Sequence, residues 1–264
     1  MQENTEVDIV ICSYAKNDEL LKVTELGLKT LVESEDKIKF NIFVVETNKD
    51  IHYNDFPVRH HSIETIHTDK PFGYHTYLNL GIDKFTDKAE WSCLCNNDLE
   101  FTKNWATILI LTCEQAQNKL ISASPINPKE PWHKSHMDQI SLGFGVRQQI
   151  AGWCLFQHKS VLKKIGKLDE RIKFWFADNY YSVVLQYHKI PHILVGNSIV
   201  YHHENLEGTT TKQADWDDKT KHKMTYGAGD EFREIVREVL NDPEWGKVSE
   251  EDKEKMRQQG RQYY

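Results

Sequence analysis

From Val7 to Glu114 the chain alternates short apolar, β-branched runs with longer stretches whose leucines recur at helical spacing. That alternation restricts the possible folds more than any other feature of the sequence. Val7 to Tyr14 (VDIVICSY) predicts a strand, and Asn17 to Val32 predicts the helix it feeds. Lys39 to Glu46 (KFNIFVVE) predicts a second strand, with further short strands over Val58 to His61 and Ser62 to His67. Gly73 to Phe85 reads as a helix, Trp91 to Asn96 as a strand and Asn104 to Glu114 as another helix. Strands separated by helices pair in parallel and are covered on both faces, so an α/β fold with a mostly parallel central sheet is expected. Ligands of such sheets bind beyond the carboxyl ends of the strands, which makes the polar residues there the candidates for chemistry.

The pattern changes after Ser124. Pro125, Pro128 and Pro131 interrupt a stretch with Trp132, His133 and His136 that reads as a long surface loop. Order returns with Ile150 to Phe156, helices over Lys159 to Ile165 and Asp178 to Tyr187, and a strand over His192 to Tyr201. From Asn205 onward the chain is polar and mostly helical, with Glu231 to Leu240 and Glu250 to Gln259 as the clearest segments. The expected organisation is a catalytic domain over 1–204, with halves 1–124 and 125–204, and a helical C-terminal extension over 205–264. The charged cluster Asp215, Asp217, Asp218, Lys219, Lys221 and Lys223 reads as a solvated face.

At 264 residues, 39% hydrophobic and 28% charged, the chain has enough apolar material for a substantial core. A net charge of -7 disfavours wrapping of nucleic acid over the whole surface and leaves room for a local basic patch. Five cysteines at irregular spacing predict reduced thiols. Cys93 and Cys95, two apart in a strand, share a face and read as small buried hydrophobes rather than as a metal pair. Met1 to Asp8 has no basic region followed by an apolar one, and no apolar run approaches the roughly 18 residues of a membrane span. A cytoplasmic protein without a membrane span is expected.

The order of signals resembles the family 2 glycosyltransferases, inverting enzymes of the GT-A fold, over Val7 to His203. In that family the first strand ends in a small residue and Tyr, and the second in an acidic residue, which hold the nucleoside; Ser13, Tyr14 and Glu46 match. Phe72-Gly73-Tyr74 with Asn79-Leu80-Gly81-Ile82 is similar to the family's glycine-then-Asn-x-Gly helix, where a missing Cβ lets backbone approach the donor. Trp91 to Asp98 (WSCLCNND) resembles its apolar strand ending in an Asp-x-Asp step, here Asn96-Asn97-Asp98. The resemblance implies a nucleotide-sugar donor, most simply a UDP-sugar, and a divalent metal, Mn²⁺ or Mg²⁺, on Asp98. One carboxylate is a thin shell for such an ion, and relatives place a histidine after the strand that here spans His192 to Tyr201. His202 and His203 are the candidates; adjacent strand residues point opposite ways, so one binds, and His203 is favoured.

The acceptor half of the resemblance runs from Gly152 and Trp153, through Gly166-Lys167-Leu168-Asp169-Glu170, to Phe174-Trp175-Phe176-Ala177-Asp178. It implies that Asp178 deprotonates the acceptor hydroxyl and that Gly152, Trp153 and Trp175 face the acceptor. As a plain sequence feature, Asp178 is also good N-cap chemistry for the helix that follows. Two positions depart from the family: Ala177 replaces an acidic partner, and Tyr180 stands where many relatives carry a second aspartate. They motivate the alternative of a non-catalytic sugar- or nucleotide-binding module. The acceptor is a glycan or polysaccharide, or a hydroxylated DNA base, since Lys159, Lys163, Lys164, Lys167, Arg171 and Lys173 stand among Trp153, Trp175, Phe176, Tyr180 and Tyr181. A nucleotidyltransferase would carry a glycine-rich phosphate loop after the first strand, and Ser13-Tyr14-Ala15-Lys16 contains no glycine, which disfavours that class.

Overall fold

The computed structural model describes residues 5–115, 121–203 and 228–243. Its elements are β1 (Thr5–Ser13), α1 (Asp18–Ser34), β2 (Ile38–Glu46), β3 (Ser62–Ile66), α2 (Tyr74–Ile82), β4 (Trp91–Asn96), β5 (Leu99–Phe101), α3 (Trp105–Gln115), β6 (Ser122–Ile126), β7 (Ile140–Leu142), β8 (Cys154–His158), α4 (Lys159–Ile165), α5 (Ala177–Tyr187), β9 (His192–His202) and α6 (Ala228–Leu240). The strands form one mixed sheet in the order β3-β2-β1-β4-β8-β6-β9-β5, with β7 also paired to β9. β3, β2, β1 and β4 run parallel. β8 enters antiparallel to both β4 and β6, while β6 and β9 are parallel again.

Parallel register fixes where a ligand can sit. Ser13 of β1 pairs with Glu46 of β2, and Cys12 pairs with Asn96 of β4, so three strands end level at one edge. Val7, Ile9 and Ile11 pack with Leu28 and Leu31 of α1 and Leu109 and Ile110 of α3 on one face of the sheet. On the other face α2 lies so close to β1 that a Cβ on Gly81 would fall 2.4 Å from Val10 Cγ1. Glycine at this position is a packing requirement, because any side chain would push α2 off the sheet. Cys93 and Cys95 share a face, as strand alternation demands, with Sγ atoms 3.2 Å apart and Cys154 Sγ 3.5 Å from Cys93. All three are fully buried in the core.

One local expectation fails and another holds only in part. Val58 to His61 is a turn closed by the His61 N–H on the Val58 carbonyl, with Arg59 at φ 53°, and the strand begins only at Ser62. The segment after Ser124 is a surface loop only in part, with Pro131, Trp132 and Met137 exposed as expected. Pro125 lies inside β6, where the register with β9 shifts between Pro125 and Ile126, the kind of irregularity that tolerates a residue without an N–H. Asn127, Glu130 and His133 beyond it are buried. No described helix is long and apolar enough to cross a membrane.

Contacts divide the chain into two units, Met1–Asp215 and Trp216–Tyr264. In the second, α6 is amphipathic, with Phe232, Ile235, Val236 and Leu240 buried along one face. Both this division and the boundary expected at 204/205 fall outside the described residues. So do the helix expected over Glu250 to Gln259 and the charged cluster from Asp215 to Lys223.

Candidate active site

At the carboxyl edge of the sheet, β4 ends in Asn96 and the chain turns through Asn97 and Asp98 into β5. Each side chain of that step has a different task. Asn96 Oδ1 accepts from the Tyr74 hydroxyl at 2.9 Å, and its N–H donates to the Trp153 carbonyl at 3.0 Å. Asn97 Nδ2 donates to Thr24 Oγ1 of α1 at 2.8 Å, which anchors the turn. Asp98 is left to face the cavity. Its Oδ1 is nearly cut off from water and accepts no hydrogen bond among the described residues. A buried carboxylate oxygen without a donor costs on the order of 1–3 kcal/mol, which makes Asp98 a candidate to receive a cation.

The partner comes from β9, and strand parity selects it. Antiparallel pairing sets Leu99 opposite His202. His202 Nε2 lies 3.4 Å from Asp98 Oδ1, and its ring stacks on Trp153 with centroids 5.4 Å apart at 22°. His203, the histidine favoured from sequence, points the other way to Glu100 Oε2 at 3.1 Å and gives only its N–H to the Asp98 carbonyl. Alternation was the correct principle, but which of two adjacent residues faces the cavity depends on a pairing partner a hundred residues away. A carboxylate oxygen and an imidazole nitrogen at this separation are a donor pair suited to a divalent ion such as Mn²⁺. Among the described residues no third His, Cys, Asp or Glu joins them within 4.8 Å.

Asp98 and His202 line a cavity of about 350 Å³ that Asp178 also lines. Asp178 is the second residue of α5 and not its cap, for the cap position is Phe176, held at φ 67°. A left-handed backbone at a bulky residue costs of order 1–3 kcal/mol and persists only where packing enforces it. The Asp178 carboxylate accepts from the Asn179 N–H at 2.9 Å. Burial raises its pKa above the usual aspartate value, while the Asn179 N–H and the Arg147 guanidinium pull it back down. Gly152 is pressed against it: a Cβ there would fall 2.6 Å from Asp178 Cβ. Arg147, also left-handed at φ 66°, lies over the Trp132 ring at 6.0 Å, and Trp132 and Trp175 are the exposed aromatics of the lining.

The cavity thus brings together Asn96, Asn97, Asp98, Gly152, Trp153, Trp175 and Asp178 of the residues expected from sequence. Ser13, Tyr14, Glu46, Gly73, Asn79 and His203 lie outside its wall. Glu46 is fully buried and its oxygens are committed: Oε1 accepts from the N–H groups of Ala15 at 3.0 Å and Asn48 at 2.8 Å, and Oε2 from the Tyr53 hydroxyl at 3.1 Å. It clamps the loops after β1 and β2. Ser13 Oγ bonds Thr24 Oγ1 at 2.9 Å, and Tyr14 is half-buried with the Lys16 ammonium 6.0 Å from its ring. Asn79 is likewise internal, accepting from the Leu168 N–H at 3.0 Å and donating to the Leu168 carbonyl at 2.8 Å. Gly73, with φ −155°, precedes α2 and leaves room for Thr76 and Lys173. α2 therefore buttresses the segment leading to Asp178.

Sequence reasoning missed Tyr74, Glu130, His133 and Arg147 in the wall. The Asn-Pro-Lys-Glu run from Asn127 looked like a loop, and no local pattern marks a loop residue as buried. Ala177 and Tyr180, the departures from the family pattern, are both buried; Tyr180 packs edge-on against His75 at 5.3 Å, away from the cavity.

No protein-family model matches the sequence, and no curated protein matches it significantly. Solved structures do. S. aureus TarS 1–349 in complex with UDP-GlcNAc superposes with a TM-score of 0.63 at 13% identity, covering 96% of this chain and 70% of that one. The chain has the GT-A fold. The TarS 1–349 complex with UDP gives 0.56 at 11% identity, covering 95% and 78%. A longer S. aureus TarS structure gives 0.54 at 12%, covering 94% of this chain and 46% of that one.

Proposed function

We propose that the chain is a glycosyltransferase that moves a sugar from a nucleoside-diphosphate donor to an acceptor hydroxyl with inversion. The observation that carries the reading is the placement of a cation-ready pair, Asp98 and His202, in one cavity with a half-buried carboxylate, Asp178. The fold is shared with proteins solved with UDP-GlcNAc and UDP, which favours a UDP-sugar as donor. Asp98 and His202 would hold the divalent metal, Mn²⁺ or Mg²⁺, whose chemistry is to neutralise the charge that grows on the leaving diphosphate. Asn96 and Asn97 set the turn that aims Asp98. Asp178 takes the proton of the acceptor hydroxyl, and its raised pKa makes it a stronger base than an exposed aspartate. Trp153 and Trp175 offer apolar faces to a sugar ring and keep water from the reacting carbon.

The acceptor reading favoured here is a glycan over a hydroxylated DNA base. Four of the six cationic side chains that motivated DNA are tied to their own chain: Lys167 to Asp83 at 2.6 Å, Arg171 to Asp169 at 2.7 Å, Lys173 to the Glu170 carbonyl at 2.8 Å and Lys159 to the Asp87 carbonyl at 3.4 Å. A phosphate backbone would have to displace those partners.

The test is release of UDP from UDP-sugars with and without Mn²⁺, in the wild type and in Asp98→Ala and Asp178→Asn. Metal-dependent turnover lost in Asp98→Ala, with Asp178→Asn slowed about 10²- to 10⁴-fold while still binding donor, is the expected outcome. Donor binding with no turnover on any donor would instead identify a sugar-nucleotide-binding module, the reading that Ala177 motivates.

A further inference from the structure

His133 is the one imidazole in the cavity wall for which neither the fold nor the reaction above supplies a use. It is fully buried. Its Nδ1 accepts from the Asn127 N–H at 3.0 Å. A backbone N–H only donates, so Nδ1 carries no proton and, in the neutral ring, Nε2 carries it. Burial, helped by His136, pushes the imidazole pKa down to about 4, so the ring is neutral near pH 7. Nε2–H is a donor with no acceptor among the described residues and almost no access to water. Burying an unanswered N–H is unfavourable, and proteins keep such groups chiefly where something else answers them.

We propose that His133 is a specificity-determining residue whose Nε2–H donates to a hydroxyl of a pyranose ring in the cavity. The inference rests on the glycosyltransferase reading and adds a residue and a rule of selection to it. The surroundings match a neutral sugar. His133 tilts against Trp153 with ring centroids 6.4 Å apart, and Trp153 stacks on His202, so the three rings form a chain of contacts that ends at the Asp98 pair. His133 is not within 4.8 Å of both Asp98 and His202, which places it outside their cation site and free to address the sugar. The ring sits in a short turn, fixed by the His133 N–H on the Glu130 carbonyl and the His136 N–H on the His133 carbonyl, whose flanking residues Trp132 and Lys134 are exposed. A neutral donor suits an uncharged hydroxyl, and a site that hydrogen-bonds a hydroxyl rejects analogues lacking it.

The hydroxyl belongs either to the donor's sugar or to an acceptor ring, and the test separates them. His133→Asn keeps an acceptor for the Asn127 N–H and deletes the cavity donor; His133→Gln restores a donor near the Nε2 position. The thermal midpoint of His133→Asn should match the wild type. Calorimetry with UDP-GlcNAc and with UDP reads the donor arm, and saturation-transfer NMR with free N-acetylglucosamine, glucose and galactose reads the acceptor arm. A roughly tenfold loss of UDP-GlcNAc affinity in His133→Asn, with UDP unchanged and His133→Gln recovering, assigns the contact to the donor sugar. Unchanged UDP-GlcNAc with a monosaccharide signal lost in His133→Asn and regained in His133→Gln assigns it to the acceptor. No change in either arm, as a trapped water on Nε2 would give, overturns the proposal. So do equal losses for UDP and UDP-GlcNAc, or a loss that His133→Gln does not recover. Wild-type protein that fails to bind UDP would refute the donor reading alone, because the monosaccharide arm still judges His133; absence of both signals would refute both.

Discussion

Gly152→Ala is the sharpest perturbation the site offers, since it adds one methyl group without touching a charge. The new Cβ would stand 2.6 Å from Asp178 Cβ, 3.2 Å from Oδ2 and 3.3 Å from Cγ. Carbon atoms rest at about 3.5–4.0 Å, so Asp178 or the turn at Gly152 must give by roughly 1 Å. The neighbours resist that shift. The Gly152 carbonyl accepts from the Tyr74 hydroxyl at 3.3 Å, and Asp178 opens α5 immediately after the left-handed Phe176. A base misplaced by 1 Å loses on the order of 10² in rate, while overpacking costs about 1–3 kcal/mol of stability. Gly152 has no positive φ, so the effect is spatial and not a matter of backbone freedom. In a UDP-release assay kcat should fall about a hundredfold with the affinity for UDP unchanged by calorimetry. Wild-type kcat in a folded Gly152→Ala protein, or a loss of UDP binding equal to the loss of rate, would refute the placement of the base against this glycine.

Other expectations follow from the same geometry. His202→Ala should raise the Mn²⁺ concentration for half-maximal UDP binding at least tenfold while His203→Ala leaves it unchanged, because only His202 meets Asp98; the reverse order would reinstate His203. The acidic limb of the kcat/KM profile should lie above the ordinary aspartate value of 3.8, since burial raises the Asp178 pKa and activity needs the ionised form. Arg147→Gln removes a charge that favours the carboxylate and should move that limb further up in pH. A raised aspartate pKa opposes folding as pH rises past its unfolded value, so Asp178→Asn should raise Tm at pH 7, by calorimetric scan. Asn79→Ala should cost about 2 kcal/mol in urea unfolding, because it strands the buried N–H and carbonyl of Leu168, and should leave Kd for UDP unchanged.

By itself the sequence determined the alternation of strands and helices and the sheet edge where polar residues gather, while its resemblance to a known family marked Asp98 and Asp178, which line one cavity. Those features are local. Hydrophobic period and strand-terminal polarity are written into runs of five to fifteen residues, and they survive whatever the rest of the chain does. Only the tertiary structure decided how the remaining polar residues are spent. Glu46 and Asn79, which the family resemblance marks as donor-binding, each answer backbone donors or acceptors brought near by packing. His202 rather than His203 meets Asp98 because β9 pairs with β5 in one register, and a slip of one residue would have exchanged them. His133, in a proline-broken stretch that reads as surface, is buried because β6 continues through Pro125 and carries the next turn into the cavity wall. Each of these outcomes hangs on a partner tens of residues away, and no periodicity encodes which partner that will be.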